Sequence, residues 1–302
     1  MRRAFHTLDV FTDTPLAGNP LAVVLDCAGL DAARMQAIAR EFNLSETVFV
    51  RDAGDPVNTA RLRIFTPTAE LPFAGHPTVG AAALIAHLRA PERILRDDLR
   101  IVFEEGVGDV VCSVRELKKG VIHASFIAPR LPVRESELTD IAAIAAALSL
   151  DVADIGFDTH VAGVWSAGTP FAFVPVASLA AIGRARPDMT HFGTVFGASV
   201  AGAYLYSRDV THEGNDVHAR MFAPLHGIAE DPATGSAAAA FAGVAVAFER
   251  PEEGEHTLVI EQGMEMGRPS LITLDIDVQG GELAGVSVGG NVVMVSQGFI
   301  EA

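Results

Sequence analysis

The stretch FAPLHGIAEDPATGSAAAAF, residues 222–241, sets Glu230 and Asp231 before Pro232 and then runs through Gly235 and Ser236 into four alanines. Its composition predicts a helix from Pro232 to about Phe248. A related stretch, HPTVGAAALIAHLRA (76–90), predicts a second helix from Pro77. Both are apolar on nearly every face, the earlier one until His87 and Arg89. A helix apolar all round is a buried helix, so each of these needs other structure wrapped around it.

Strands supply that wrapping. Short runs rich in Val, Ile, Phe and Thr, broken by Gly, Pro or Asp, read as strands: 4–12, 20–26, 46–52, 60–66, 99–106, 108–114 and 121–128 in the first half. The rhythm resumes at 161–168, 170–176, 199–207 and 216–223, and again after residue 254. DAARMQAIAREFN (31–43) has helical spacing, with Asp31 as N-cap and Asn43 as C-cap. Residues 137–149 form another helical stretch, after a polar link, APRLPVRESELTD.

The halves repeat each other. GNPLAVV (18–24) matches GTPFAFV (168–174), FTP (65–67) matches FAP (222–224), and HPTVGAAA (76–83) matches DPATGSAAA (231–239). Three landmarks in one order indicate duplication. The fold class read from this is α+β: two pseudo-repeated lobes, each a strongly curved, barrel-like sheet around a central helix, facing each other across a cleft. The lobes are placed at 1–128 and 129–302, with strand 291–300 a candidate to pair back with the first.

The 302 residues carry a net charge of −16, which argues against a nucleic-acid or anionic-membrane partner, since both need a basic patch. No secretory leader or membrane-length apolar run is read, so a cytoplasmic location is expected. Cys27 and Cys112 lack CxxC spacing and read as buried thiols, with one disulfide as the alternative. The scattered histidines offer no ligand set, so no metal is expected.

Chemistry concentrates at the two helix starts. His76-Pro77 and Asp231-Pro232 each put a polar residue before a proline, which suits the first helical position. His76 and Asp231 would then be N-caps beside free backbone N–H groups, with Gly75 and Gly235 leaving room for a ligand. NLSETVFV (43–50) adds Glu46, which shares a strand face with Val48 and Val50. On a partly apolar face its pKa would rise toward that of a general acid/base. Each residue also has a plainer reading: Asp231 as a simple cap, His76 as a filler of the helix mouth, Glu46 as a surface carboxylate.

Taken together, DVFTDTPLAGNPLAVV, NLSETVFV, FTPTAELPFAGHPTVGAA and RMFAPLHGIAEDPATGSAAAA resemble the PhzF-like family of phenazine-biosynthesis isomerases over essentially the whole chain. The resemblance implies the diaminopimelate-epimerase-like fold with its active site between the lobes, a homodimer, and a small carboxylic-acid substrate. It implies isomerisation of a trans-2,3-dihydro-3-hydroxyanthranilate-like acid by proton transfer, without metal or organic cofactor. Glu46 would shuttle the proton, and His76 and Asp231 would be the other catalytic or orienting groups. Ser45, Gly75, Gly235 and Ser236 would line the substrate site. A two-thiol racemase mechanism is disfavoured, because no cysteine lies near either helix start. An epimerase or dehydratase of the same fold, and a non-catalytic small-acid-binding protein, are the alternatives. Glu230 has no assigned role.

Overall fold

A computed structural model describes residues 1–197 and 199–302; Ala198, within FGASVAG (196–202), lies outside the described residues. The chain divides into two compact units, Met1–Pro129 with Val288–Ala302, and Arg130–Ser287. Residues 288–302 thus belong to the first unit and not to the second.

The first unit contains β1 (Arg2–Val10), β2 (Asn19–Val24), α1 (Ala32–Phe42), β3 (Glu46–Arg51), β4 (Ala60–Phe65), β5 (Glu70–Leu71), α2 (Gly75–Arg89), α3 (Pro91–Ile94), β6 (Leu99–Glu105), β7 (Gly108–Lys118) and β8 (Val121–Ile127). The second contains β9 (Val133–Glu137), α4 (Ile141–Ala147), β10 (Gly163–Ser166), β11 (Pro170–Pro175), α5 (Leu179–Arg184), α6 (Met189–Val195), β12 (Ala203–Ser207), β13 (Val217–Ala223), β14 (Ile228–Asp231), α7 (Gly235–Glu249), β15 (Gly254–Gln262) and β16 (Ser270–Gln279). The last strand, β17 (Glu282–Glu301), begins in the second unit and ends in the first.

In the first unit the pairings run β1–β2–β3–β4–β6–β7–β8–β17 and return to β1, a closed ring of eight strands. Closure removes the free sheet edges that would otherwise invite aggregation. Within the ring runs α2, packed against β1, β2, β3, β6, β7 and β8. Every residue from Gly75 to Ala86 is buried, which is what an all-apolar helix requires. Gly80 marks the closeness of the fit: an added Cβ would lie 2.5 Å from Leu21 Cδ2 and 2.9 Å from Val10 Cγ2.

The second unit repeats the order. β10–β11 is antiparallel, β11–β12 parallel, β12–β13 antiparallel, β13–β15 parallel and β15–β16 antiparallel. The first unit shows the same alternation through β1, β2, β3, β4, β6 and β7. Its central helix, α7, packs against β9, β10, β11 and β16. Outside the strands, α4, α5 and α6 contribute to an outer core that includes Ile144, Ile182, Phe192 and Phe222.

Some local expectations hold and others change. Asp31 caps α1 by accepting from Arg34 N at 2.8 Å, and Asn43 closes it in the left-handed region. The supposed polar link contains β9, exposed along its length; its backbone pairs with β10, and no apolar alternation marks it. The short helices α5 and α6 are additional elements whose few residues carry little periodic signal.

Neither central helix begins where its proline suggested: α2 begins before Pro77 and α7 begins after Pro232. α2 starts at Gly75 with Ala74 as N-cap, and α7 starts at Gly235 with Thr234 as N-cap. Asp231 is the last residue of β14, extended as a residue before proline prefers. His76 is helical although it precedes Pro77, whose missing N–H falls within a first turn that has no internal acceptors to serve. Ile64 and Met221, each just before the phenylalanine of FTP or FAP, pair with Leu71 and Asp231 respectively. Asp231 therefore corresponds to Leu71, and His76, second in its helix, corresponds to Ser236.

One turn next to Asp231 has little tolerance. Gly263 has φ +78°, and an added Cβ would meet Arg268 O at 2.5 Å and Pro232 O at 2.6 Å. Gly267 has φ +68° but open space around it. Gly263→Ala is expected to lower unfolding free energy by about 2–5 kcal/mol, from backbone strain plus overpacking. Gly267→Ala should cost about 1 kcal/mol from backbone strain alone. Urea denaturation of both variants checks the contrast.

Candidate active site

Alternation along β3 aims Glu46. Phe49 packs outward with α1 residues Met35 and Ile38, so Glu46 and Val48 project to the opposite face of the strand, toward α2, which packs on β3. The Glu46 side chain is 12% exposed, and its Oε2 lies 3.4 Å from Nδ1 of His76, which is 4% exposed. The surface-carboxylate reading of Glu46 is thereby removed.

A third side chain joins them. Asn19 opens β2 and is fully buried, with its Nδ2 3.3 Å from the same His76 Nδ1. Parallel pairing of β2 with β3, in which Leu21 faces Glu46, sets the starts of both strands at one end. Ser45 and Gly75 flank Glu46 and His76 in the chain; Ser45 is half-buried and Gly75 buried.

Burial pulls the His76 pKa down to about 3, opposed in part by a hydrogen bond to the Pro20 backbone. The ring is therefore neutral over the physiological range. With its proton on Nδ1 it can donate to Glu46; with the proton on Nε2 it can accept from Asn19. A change of tautomer thus lets Nδ1 exchange a proton with Glu46.

Asp231 belongs to the second unit and is 6% exposed. Its Oδ2 accepts from Thr234 Oγ1 at 2.7 Å. Gln262, fully buried at the end of β15, donates through Nε2 to Asp231 O at 2.8 Å and to Thr234 Oγ1 at 3.0 Å. Its Oε1 accepts from Thr234 N at 3.2 Å. Gly235 and Ser236 open α7, the glycine buried and the serine half-buried. Burial pushes the Tyr204 hydroxyl up, and the Asp231 charge adds to this, so the phenol stays protonated.

Neither His76 nor Asp231 is an N-cap, and the N-cap residues Ala74 and Thr234 make no side-chain cap hydrogen bond. First-turn N–H groups that receive no acceptor from the N-cap side chain are suited to anions. The predicted residues form two sets. Glu46, His76, Ser45 and Gly75 share the first unit, and Asp231, Gly235 and Ser236 the second.

Asn19 and Gln262 were not anticipated. Asn19 sits in GNP, matched by GTP in the second half, so a polar residue before proline at a repeated position was the available signal. Gln262 carried none, because EQG at a strand end reads as a turn. Both cysteines are free and buried. Burial holds the Cys27 thiol up at about 11 and pushes Cys112 higher still, so neither is a reactive thiolate.

A model of the PhzC-PhzF family, described as phenazine biosynthesis-like protein, matches residues 8–298. The chain belongs to this family. It is 47% identical over 300 residues to an uncharacterized isomerase of Mesorhizobium japonicum, covering 98% of each chain. It is 35% identical to the trans-2,3-dihydro-3-hydroxyanthranilate isomerase of Pseudomonas chlororaphis, covering 97% of each. The crystal structure of a phenazine biosynthesis protein of the PhzF family from Bacillus anthracis superposes with a TM-score of 0.88 at 25% identity, over 100% of both chains. This PhzF-family chain is an enzyme of the isomerase type. Among the described residues no helix is long and apolar enough to cross a membrane.

The neutral state of His76 has a measurable consequence. Its folded pKa, about 3, lies below its ordinary value of 6.5. The stability it contributes is complete above pH 6.5 and declines as pH falls toward 3, because only the unfolded chain takes up the proton. Nitrogen-15 NMR should show the His76 ring neutral from pH 5 to 9, and His76→Gln should flatten the stability profile between about pH 3 and 6.5. A ring titrating near 6.5 would contradict the assignment.

Proposed function

We propose that this chain catalyses a cofactor-independent proton shift, moving a double bond in a small cyclic or amino/hydroxy carboxylic acid of the trans-2,3-dihydro-3-hydroxyanthranilate type. The observation that carries this reading is the buried contact between Glu46 and the neutral ring of His76. A carboxylate beside a ring that can take or give a proton at Nδ1 is suited to remove a proton from one carbon and return it to another. The names of relatives at about 35% identity support the substrate class.

In this reading Glu46 is the acid/base. It abstracts a proton from a carbon activated by conjugation, becomes the neutral acid, and delivers the proton to a second carbon of the same substrate. His76 positions Glu46 and relays its proton, and Asn19 holds the ring. Asp231, its direction set by Thr234, accepts from an amino or hydroxyl group of the substrate. Ser45, Gly75, Gly235, Ser236 and the helix starts receive the carboxylate. Acid–base catalysis of this kind contributes about 10²–10⁴-fold in rate, so orientation must supply much of the rest. The enzyme would act as a homodimer in the cytoplasm.

The test is turnover of trans-2,3-dihydro-3-hydroxyanthranilate in deuterium oxide, followed by NMR. A shifted double bond, with deuterium at the receiving carbon to the extent that Glu46 exchanges its proton, is the expected result. Glu46→Gln should abolish turnover with its Tm within a few degrees of the parent, and Asp231→Asn should reduce it by about 10²-fold or more. Inversion at one carbon without a shifted double bond would identify an epimerase instead. Full activity of Glu46→Gln would remove Glu46 from the mechanism.

A further inference from the structure

Behind Asp231, on the other face of the same strands, lies a chain of charges of which Arg220, His218 and Glu261 are buried. Arg220 of β13 is 2% exposed and grips Glu230 of β14 with both arms of its guanidinium, Nε to Oε1 at 2.8 Å and Nη2 to Oε2 at 2.9 Å. Its remaining nitrogen, Nη1, donates to Ile182 O at 2.9 Å and Ala185 O at 3.0 Å, the carbonyls at the end of α5. The guanidinium also sits 4.7 Å from the ring centre of Phe222. Arg220 Nε lies 3.8 Å from Glu265, which accepts from His218 Nε2 at 3.0 Å. His218 Nδ1 in turn lies 2.7 Å from Glu261.

Two consecutive pairs tie this charge chain to the candidate site. Glu230 faces Arg220 while the next residue, Asp231, turns to Thr234. Glu261 faces His218 while the next residue, Gln262, holds both Asp231 and Thr234. Side chains alternate across a strand, so whatever fixes Glu230 and Glu261 on one face fixes Asp231 and Gln262 on the other.

Stability alone is a poor account of the pair. A buried ion pair is often no more stable than apolar residues of similar size. What the forked, five-donor geometry of Arg220 adds is a defined position. It ties β14 to the end of α5 through a rigid two-bond clamp, one peptide away from Asp231.

We propose that Arg220 and Glu230 are positioning residues: their clamp sets the direction of the Asp231 carboxylate and, with it, the Asp231–Thr234–Gln262 hydrogen-bond set. The functional importance of this rests on the role given to Asp231 above; the geometric coupling does not.

The test replaces the clamp by apolar residues, Arg220→Met with Glu230→Leu, in the full-length protein. Three quantities are read: Tm, solvent exchange of the Gln262 side-chain amide, and the titration of a carbon-13-labelled Asp231 carboxyl. The expected result is a Tm within a few degrees of the parent, Gln262 exchange faster by about tenfold or more, which corresponds to about 1.4 kcal/mol, and a displaced Asp231 titration. Unchanged exchange and titration in a folded variant would overturn the proposal. If the double variant does not fold, Glu230→Gln, which keeps the shape and removes the charge, is read by the same criteria.

Turnover of trans-2,3-dihydro-3-hydroxyanthranilate separates the two readings. If positioning matters to catalysis, the folded clamp variant loses kcat at saturating substrate. If Asp231→Asn keeps full activity while the clamp variant shifts both NMR signals, the catalytic role of Asp231 fails and the clamp stands.

Discussion

The structure depends first on enclosing two helices that have no polar side. α2 and α7 are built mostly from alanine, glycine and larger apolar residues, and a helix of that kind is stable only where other structure covers it. The closed ring of strands around α2 is the direct answer to that constraint. Small residues let strand and helix approach closely, as Gly80 does against Leu21 and Val10 and Gly243 does against the Trp165 ring. A helix so enclosed can place polar residues safely near its first turn, where free N–H groups await acceptors. His76 lies there, in the first turn of α2, with Glu46 at the start of β3 beside it, and Asp231 ends the strand that leads into α7.

That location accounts for the electrostatics. His76 is buried by the packing that buries α2, which keeps its ring neutral and able to use either tautomer. Asp231 is also buried, and it is held through Thr234 and Gln262 at the strand end that leads into α7. In each unit a side chain from another strand orients the set: Asn19 from β2 in the first and Gln262 from β15 in the second. Parallel steps in the strand order, β2 with β3 and β13 with β15, bring these helpers in from distant sequence.

Much of this was legible from residues. The alternation of β3 was enough to put Glu46 on the face of Val48, and Asp31 and Asn43 announced the ends of α1. The duplication was visible as GNP with GTP and FTP with FAP. It was misaligned at the helix starts, where matching prolines suggested that His76 and Asp231 were equivalent. Strand register decides otherwise, because Asp231 pairs with Met221 and so corresponds to Leu71. A proline is tolerated anywhere in a first helical turn or just before it, so it marks a helix start only to within several residues. Glu230, unexplained in the sequence, acquires a partner once β13 and β14 are paired, since Arg220 is ten residues away with a turn between.

Sequence alone determined the two buried helices, the repeated order of elements around them and the motifs of the family resemblance, which in turn nominated Glu46, His76 and Asp231. These follow from local composition and short spacings, which act within one strand or one helical turn. Only the tertiary structure decided that Glu46 meets His76 and Asn19, that Asp231 is held by Thr234 and Gln262, and that Glu230 answers Arg220. Such contacts are set by which strands pair and in what register. A one-residue change of register would send every side chain of a strand to its opposite face, and no short stretch of sequence carries that information by itself.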